Sequence, residues 1–176
     1  MNLPNKLTIL RVIMIPFFLV FLYMEASWTK WVALGIFIVA AITDTLDGQI
    51  ARRCHLVTNF GKFMDPLADK LLVCSALIAF TDLHRMPGWI VIVIIAREFI
   101  ISGFRFIAAE KGVVIAAGWW GKIKTTVQMI MVCFLIANLS SQFIYYLEQV
   151  LIYASLALTI ISLLDYLIKN RDVLKD

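Results

Sequence analysis

The stretch Trp31-Val32-Ala33-Leu34-Gly35-Ile36-Phe37-Ile38-Val39-Ala40-Ala41-Ile42-Thr43 carries no charge and runs directly into Asp44-Thr45-Leu46-Asp47-Gly48-Gln49-Ile50-Ala51-Arg52. As a helix, its 13 uncharged residues rise about 20 Å, short of the roughly 30 Å of hydrocarbon in a bilayer. Val12 to Met24, also 13 residues, and Leu71 to Thr81, 11 residues, are equally short. Helices that cross lipid on such segments must carry ionisable residues into the membrane at one end. Charge there is costly unless it faces water or other charge, so these ends mark candidate functional positions.

The rest of the chain fits that reading. Of 176 residues, 62% are hydrophobic and 16% charged, whereas a soluble domain is about half apolar and about a quarter charged. An ordinary soluble domain and a disordered chain are both excluded. Apolar segments fall at about 6–24, 30–51, 64–81, 87–107, 119–138 and 147–167, separated by polar connections such as Glu25-Ala26-Ser27 and Asp82 to Gly88. Lipid requires each span to satisfy its own backbone, so all six are helices. The expected architecture is an all-α integral membrane protein of six transmembrane helices, a single catalytic domain over 1–176 with no internal repeat. Leu3 to Tyr23 is long enough to remain as a span, so a cleaved signal peptide is not expected.

Lys and Arg number 16 against 12 Asp and Glu, a net charge of +4. With both termini on one face, 14 of the 16 basic residues lie on that face and only Lys30 and Arg85 on the other. The positive-inside rule then puts both termini in the cytoplasm, and the basic excess reads as orientation and anionic headgroups, not as nucleic-acid binding. Trp28, Trp31 and Trp89 are expected at the outer interface, Trp119 and Trp120 at the inner one. Cys54, Cys74 and Cys133 lack CxxC spacing and read as free, apolar-packing thiols. His55 and His84 fall in loops and receive no role.

After Arg52, eight residues lead to Gly61-Lys62-Phe63-Met64-Asp65-Pro66-Leu67-Ala68-Asp69. Asp44, Asp47, Gly48 and Ala51 follow i, i+3, i+4, i+7 and share one helical face. Gly61, Asp65 and Asp69 share a face of the third helix if it begins near Gly61, and Pro66 is expected within its first turn. A loop of about a dozen residues between the two helices makes them antiparallel neighbours, so four carboxylates converge at one depth. Four such groups repel unless cations neutralise them, and an all-oxygen set suits Mg²⁺, Mn²⁺ or Ca²⁺. Two divalent ions fit the charge and would serve a phosphoryl or pyrophosphate substrate. The bland alternative is that these residues cap helices or pair with Arg52, Arg53, Lys62 and Lys70.

The string Asp-x2-Asp-Gly-x2-Ala-Arg-x8-Gly-x3-Asp-x3-Asp resembles that of the CDP-alcohol phosphotransferases at all eight specified positions, spacing included. The resemblance implies a six-helix membrane enzyme, usually a homodimer, in which the hydroxyl of an alcohol displaces CMP from a CDP-linked lipid. It implies Asp44, Asp47, Asp65 and Asp69 as ligands of two Mg²⁺ or Mn²⁺ ions, with Asp69 also the general base. Gly48, Ala51, Arg52 and Gly61 correspond to the nucleotide-binding surface. The opening Asn2 to Arg11, the stretch Ala96 to Arg105 and Gly121 to Gln128 resemble the bacterial members whose donor is CDP-diacylglycerol and whose acceptor is sn-glycerol 3-phosphate. That places the protein in the plasma membrane, working on phospholipid synthesis from the cytoplasmic side.

Arg97 and Arg105 stand eight apart, near one helical face, and an arginine inside a span needs an anionic partner, either a substrate or an aspartate of the cluster. A guanidinium fork matches phosphate oxygens, so both are candidates for the acceptor phosphate. Lys122 and Lys124 are candidates for the same phosphate or for headgroups. Asn5, Thr8 and Arg11 recur at i, i+3, i+6, and Asn5 and Thr8 are candidates for nucleotide contact. Helix initiation after Pro4 with a positive-inside arginine is the alternative. A phosphate pocket alone does not choose glycerol phosphate over inositol phosphate, and a serine acceptor would not need one. A prenyltransferase would leave Gly48, Ala51 and Arg52 unexplained, and a small divalent-cation transporter would ordinarily show two related halves.

Overall fold

A computed structural model describes the backbone at residues 3–53, 59–110 and 118–170, and side chains at 6–43, 67–68, 70–110 and 118–170. Six helices run in order: α1 Leu3–Tyr23, α2 Thr29–Arg53, α3 Asn59–Asp82, α4 Gly88–Glu110, α5 Trp119–Ala137 and α6 Gln142–Lys169. They fall where the apolar segments do. The largest differences are at α3 and α6, which each begin five residues earlier than the apolar pattern suggests. Pro66 is therefore the eighth residue of α3 and not part of its first turn. The helix continues through it at the expense of one backbone hydrogen bond, a cost that the apolar packing of the remaining turns can carry. Cys74 and Cys133 take part in no disulfide.

The described residues form two compact units. The first holds α1, α2 and α3, and the second α4, most of α5, and α6. In the first, α1 packs along both α2 and α3. Its buried positions Thr8, Arg11, Ile15, Phe18 and Leu22 alternate in steps of three and four, the seam spacing of a packed helix. Leu10, Ile13, Phe17 and Val20 cover the opposite, exposed face. On α2 the seam is Thr29, Ala33, Phe37 and Ala40, where two alanines let α1 approach closely. Phe18 meets Phe37 with ring centroids 5.8 Å apart.

In the second unit α4 packs on α6, and Phe104 meets Tyr166 edge to face at 6.0 Å. The buried seam of α6 is Ile152, Ser155, Thr159, Ser162 and Tyr166, four hydroxyls among five residues. Two of them bond their own helix: Thr159 Oγ1 donates to the Ser155 carbonyl at 2.7 Å and Ser162 Oγ to that of Thr159 at 3.1 Å. Its exposed side carries Val150, Tyr153, Ile160, Ile161, Leu164 and Ile168. A helix more polar inside than outside suits apolar surroundings better than water, and α6 in this respect fits a membrane protein. Lys6–Tyr23, Trp119–Ala137 and Gln142–Lys169 are long and apolar enough to cross a bilayer. In α4 the charges Arg97, Glu98 and Arg105 interrupt an otherwise apolar helix.

The end of α5 explains two basic residues. Asn138 turns into the left-handed region (φ 43°), a conformation that asparagine tolerates at a helix C-terminus. The Lys30 ammonium donates to the Asn138 carbonyl at 3.2 Å, and Arg85 Nη1 donates to that of Leu135 at 2.9 Å. Burial pulls the Arg85 guanidinium below the usual arginine range, and the Glu148 carboxylate partly offsets this. Lys30 and Arg85 thus satisfy carbonyls that the helix leaves open and complement its dipole.

Leu in place of Ala33 should push α1 and α2 apart and lower the stability of the detergent-solubilised protein by about 1–3 kcal/mol. Ile38→Leu, on the exposed face of the same helix, should change it by less than about 0.5 kcal/mol. Thermal unfolding of the two variants checks this.

Candidate active site

Asp44 and Asp47 lie in the last turns of α2, and Asp65 and Asp69 in the first turns of α3. Their side chains, and those of Asn5, Gly48, Ala51, Arg52 and Gly61, lie outside the described residues, but the helices that carry them do not. The Phe18–Phe37 pair sets the α1–α2 register. Two turns beyond it, toward the start of α1 and the end of α2, Arg11 stands level with Asp44, and one turn further Thr8 stands level with Asp47. At the other end Tyr23 lies beside Asp82, so α3 runs parallel to α1 and its aspartates belong to the same end of the unit. Only five residues, 54–58, separate α2 from α3, fewer than the dozen expected, because both helices run past the motif residues, α2 to Arg53 and α3 from Asn59.

Thr8 and Arg11 are at 0% exposure, whereas Lys6 is exposed. A guanidinium buried to that degree does not reach a lipid headgroup. Arg11 instead brings a positive charge into the seam at the level of the acidic motif.

The basic residues of the second unit separate into two kinds. Arg97 and Lys124, at 8% and 2% exposure, are buried, and Arg105 and Lys122 are exposed. Eight residues overshoot two helical turns by about 80°, enough to carry Arg105 off the face of Arg97. Lys122 and Lys124 are two apart and so point to different sides of α5. Arg97 belongs to the buried stripe Ile90, Ile94, Arg97, Ile101 of α4, and Lys124 to the stripe Lys124, Gln128, Met131, Leu135 of α5.

Between the two stripes stands Glu98. Its Oε1 accepts from Arg97 Nη1 at 3.0 Å and also from Lys124 Nζ. The arginine inside the span therefore has a partner that is neither substrate nor a motif aspartate. Gln128, one turn beyond Lys124, is also buried. Neither Glu98 nor Gln128 stands out in the sequence as a site residue. The available signal was periodicity: Lys124 and Gln128 occupy core positions of an apolar helix, where a polar residue needs a reason. Among the described residues no group of three or more His, Cys, Asp or Glu side chains forms a metal site.

The pattern of the CDP-alcohol phosphatidyltransferase family matches residues 1–161. The chain belongs to that family. It is 40% identical over 189 aligned positions to the CDP-diacylglycerol--glycerol-3-phosphate 3-phosphatidyltransferase of Bacillus subtilis (strain 168), covering 99% of this chain and 97% of that protein. It is 41% identical over 180 positions to the proteins of the same name from Escherichia coli (strain K12) and Shigella flexneri, covering 99% of this chain and 98% of each. The aspartate motif lies wholly within the matched residues, as do the stripes of α4 and α5.

Arg11→Ala should lower stability by about 1–3 kcal/mol, the usual cost of truncating a large, fully buried side chain. Lys6→Ala, on the exposed side of α1, should stay within about 0.5 kcal/mol. Melting of the two purified variants against the parent tests the difference.

Proposed function

We propose that the chain is a six-span phosphatidyltransferase that moves the phosphatidyl group of CDP-diacylglycerol onto sn-glycerol 3-phosphate, with its reaction site at the cytoplasmic side of the plasma membrane. The observation that carries this reading is the complete aspartate motif in a chain 40–41% identical, nearly end to end, to enzymes bearing that activity in their name. The orientation rests on the count of basic residues, 14 of 16 on the side of the termini.

Asp44, Asp47, Asp65 and Asp69 are a hard oxygen donor set that suits two Mg²⁺ or Mn²⁺ ions. When bound, such ions supply neutralisation of the donor's pyrophosphate and of the departing CMP. Gly48, Ala51 and Gly61 leave helix surface clear for the nucleotide, with Arg52, Asn5 and Thr8 as its polar contacts. Arg97 and Lys124 take the phosphate of the acceptor, and the exposed Arg105 and Lys122 attract it. Asp69 accepts the proton of the acceptor's free primary hydroxyl. That oxygen bonds to the β-phosphorus as the bond from this phosphorus to the oxygen bridging it to CMP breaks. CMP leaves with that oxygen, and phosphatidylglycerophosphate is the product.

The purified protein, given CDP-diacylglycerol and Mg²⁺ or Mn²⁺, should release CMP when glycerol 3-phosphate is added. Serine or inositol phosphate in its place should give no product; CMP release driven by either of these would reassign the acceptor. Asp69→Asn should reduce turnover by about 10²–10⁴-fold, the range of a lost general base, with the melting temperature retained. Chelation by EDTA should abolish turnover, and added Mg²⁺ or Mn²⁺ should restore it.

A further inference from the structure

Glu98 touches neither a substrate nor a reacting atom in the scheme above, yet it organises the two buried cations assigned to the acceptor. One carboxylate oxygen accepts from Arg97 on its own helix and from Lys124 across on α5. Two donors bonded to the same oxygen stand within about 6 Å of each other, close enough for one phosphate group to meet both. Without the carboxylate, two buried cations so placed would repel and separate.

Arg97 has capacity left for such a ligand. Its side chain is 9% exposed, Nη1 is engaged by Glu98, and Nε is buried without a hydrogen-bond partner. A buried donor left open in this way is costly unless a ligand completes it. On the other edge of the guanidinium stands Gly121, three residues before Lys124. A Cβ placed there would come 3.4 Å from Arg97 Nη2, in van der Waals contact, so the missing side chain leaves that edge of the fork uncovered. Gly121 is the third residue of α5, and alanine at such a first-turn position suits the helical state at least as well.

We propose that Glu98 is a positioning residue that holds Arg97 and Lys124 together for one phosphate group, and that Gly121 keeps the Nη2 edge of Arg97 open to that group. The ligand chemistry is a dianionic phosphate monoester; that it is the acceptor's phosphate rests on the transferase reading. The elements are held in place as a unit: Arg97 by the apolar stripe of α4, Lys124 by that of α5, and the oxygen between them by a residue adjacent to Arg97 in the chain.

Steady-state kinetics of the purified protein tests this with two independent variants. Glu98→Gln should raise the KM for glycerol 3-phosphate about tenfold or more while leaving kcat and the KM for CDP-diacylglycerol within about twofold, the pattern of a lost binding contact. Glu98→Asp should recover part of that loss. Gly121→Ala should raise the same KM about threefold or more with a melting temperature equal to or above the parent's, because the new methyl covers the guanidinium edge while favouring the helix. An unchanged or lower KM for glycerol 3-phosphate in Gly121→Ala and in folded Glu98→Gln would overturn the inference. If the parent protein does not use glycerol 3-phosphate, the transferase reading fails separately, and calorimetric titration with inorganic phosphate then reads the site directly. Weaker phosphate binding by both variants upholds the positioning role, and binding equal to the parent's overturns it.

Discussion

A cation taken out of water costs several kcal/mol unless another group in the protein answers it, and most of the arrangement in this chain follows from that cost. Arg11, Arg97 and Lys124 are all buried, in helices otherwise made of aliphatic and aromatic side chains. Arg97 and Lys124 are met by one carboxylate oxygen of Glu98. Lys30 and Arg85 are met by backbone carbonyls at the end of α5. In these four cases the partner comes from a different helix or from the neighbouring residue, so the charges tie helices together where apolar contact alone would be indifferent to lipid or protein.

The same constraint turns α6 inside out relative to a helix of a soluble bundle. The seam of α6 holds Ser155, Thr159 and Ser162, and its outer face holds branched aliphatics and tyrosines. Small residues at the seam allow close approach, and Thr159 and Ser162 satisfy their hydroxyls on the helix backbone. A polar interior is also what a reaction between two phosphorylated substrates requires. In this chain polar side chains take positions that would form the dry core of a soluble protein. Lys124 and Gln128 sit in register with Met131 and Leu135 on one stripe of α5.

Much of this was legible in the residues. The six helices were readable from apolar segments, because lipid permits separate spans no other backbone. The acidic motif was readable because a cluster of carboxylates needs its residue types at helical spacing, and i, i+3, i+4, i+7 is visible in one dimension. The start of α3 is not legible in the residues, since Pro66 marks a probable helix boundary and an early helix interior alike. Glu98 does not stand out for a related reason. Its significance is the contact with Lys124, 26 residues away, and no local pattern records which two faces meet.

By itself, then, the sequence determined the solvent, the helical class, the family and the residue types of the chemistry, because each depends on composition or on spacing within one helix. The tertiary structure alone decided which cations are buried and what answers them. It separated Arg97 from Arg105 and Lys124 from Lys122, brought Arg11 level with Asp44, and put Glu98 between two helices. Those outcomes depend on how helix faces are rotated and registered against one another. That rotation is set by the summed fit of whole seams, a property no short stretch of the chain contains.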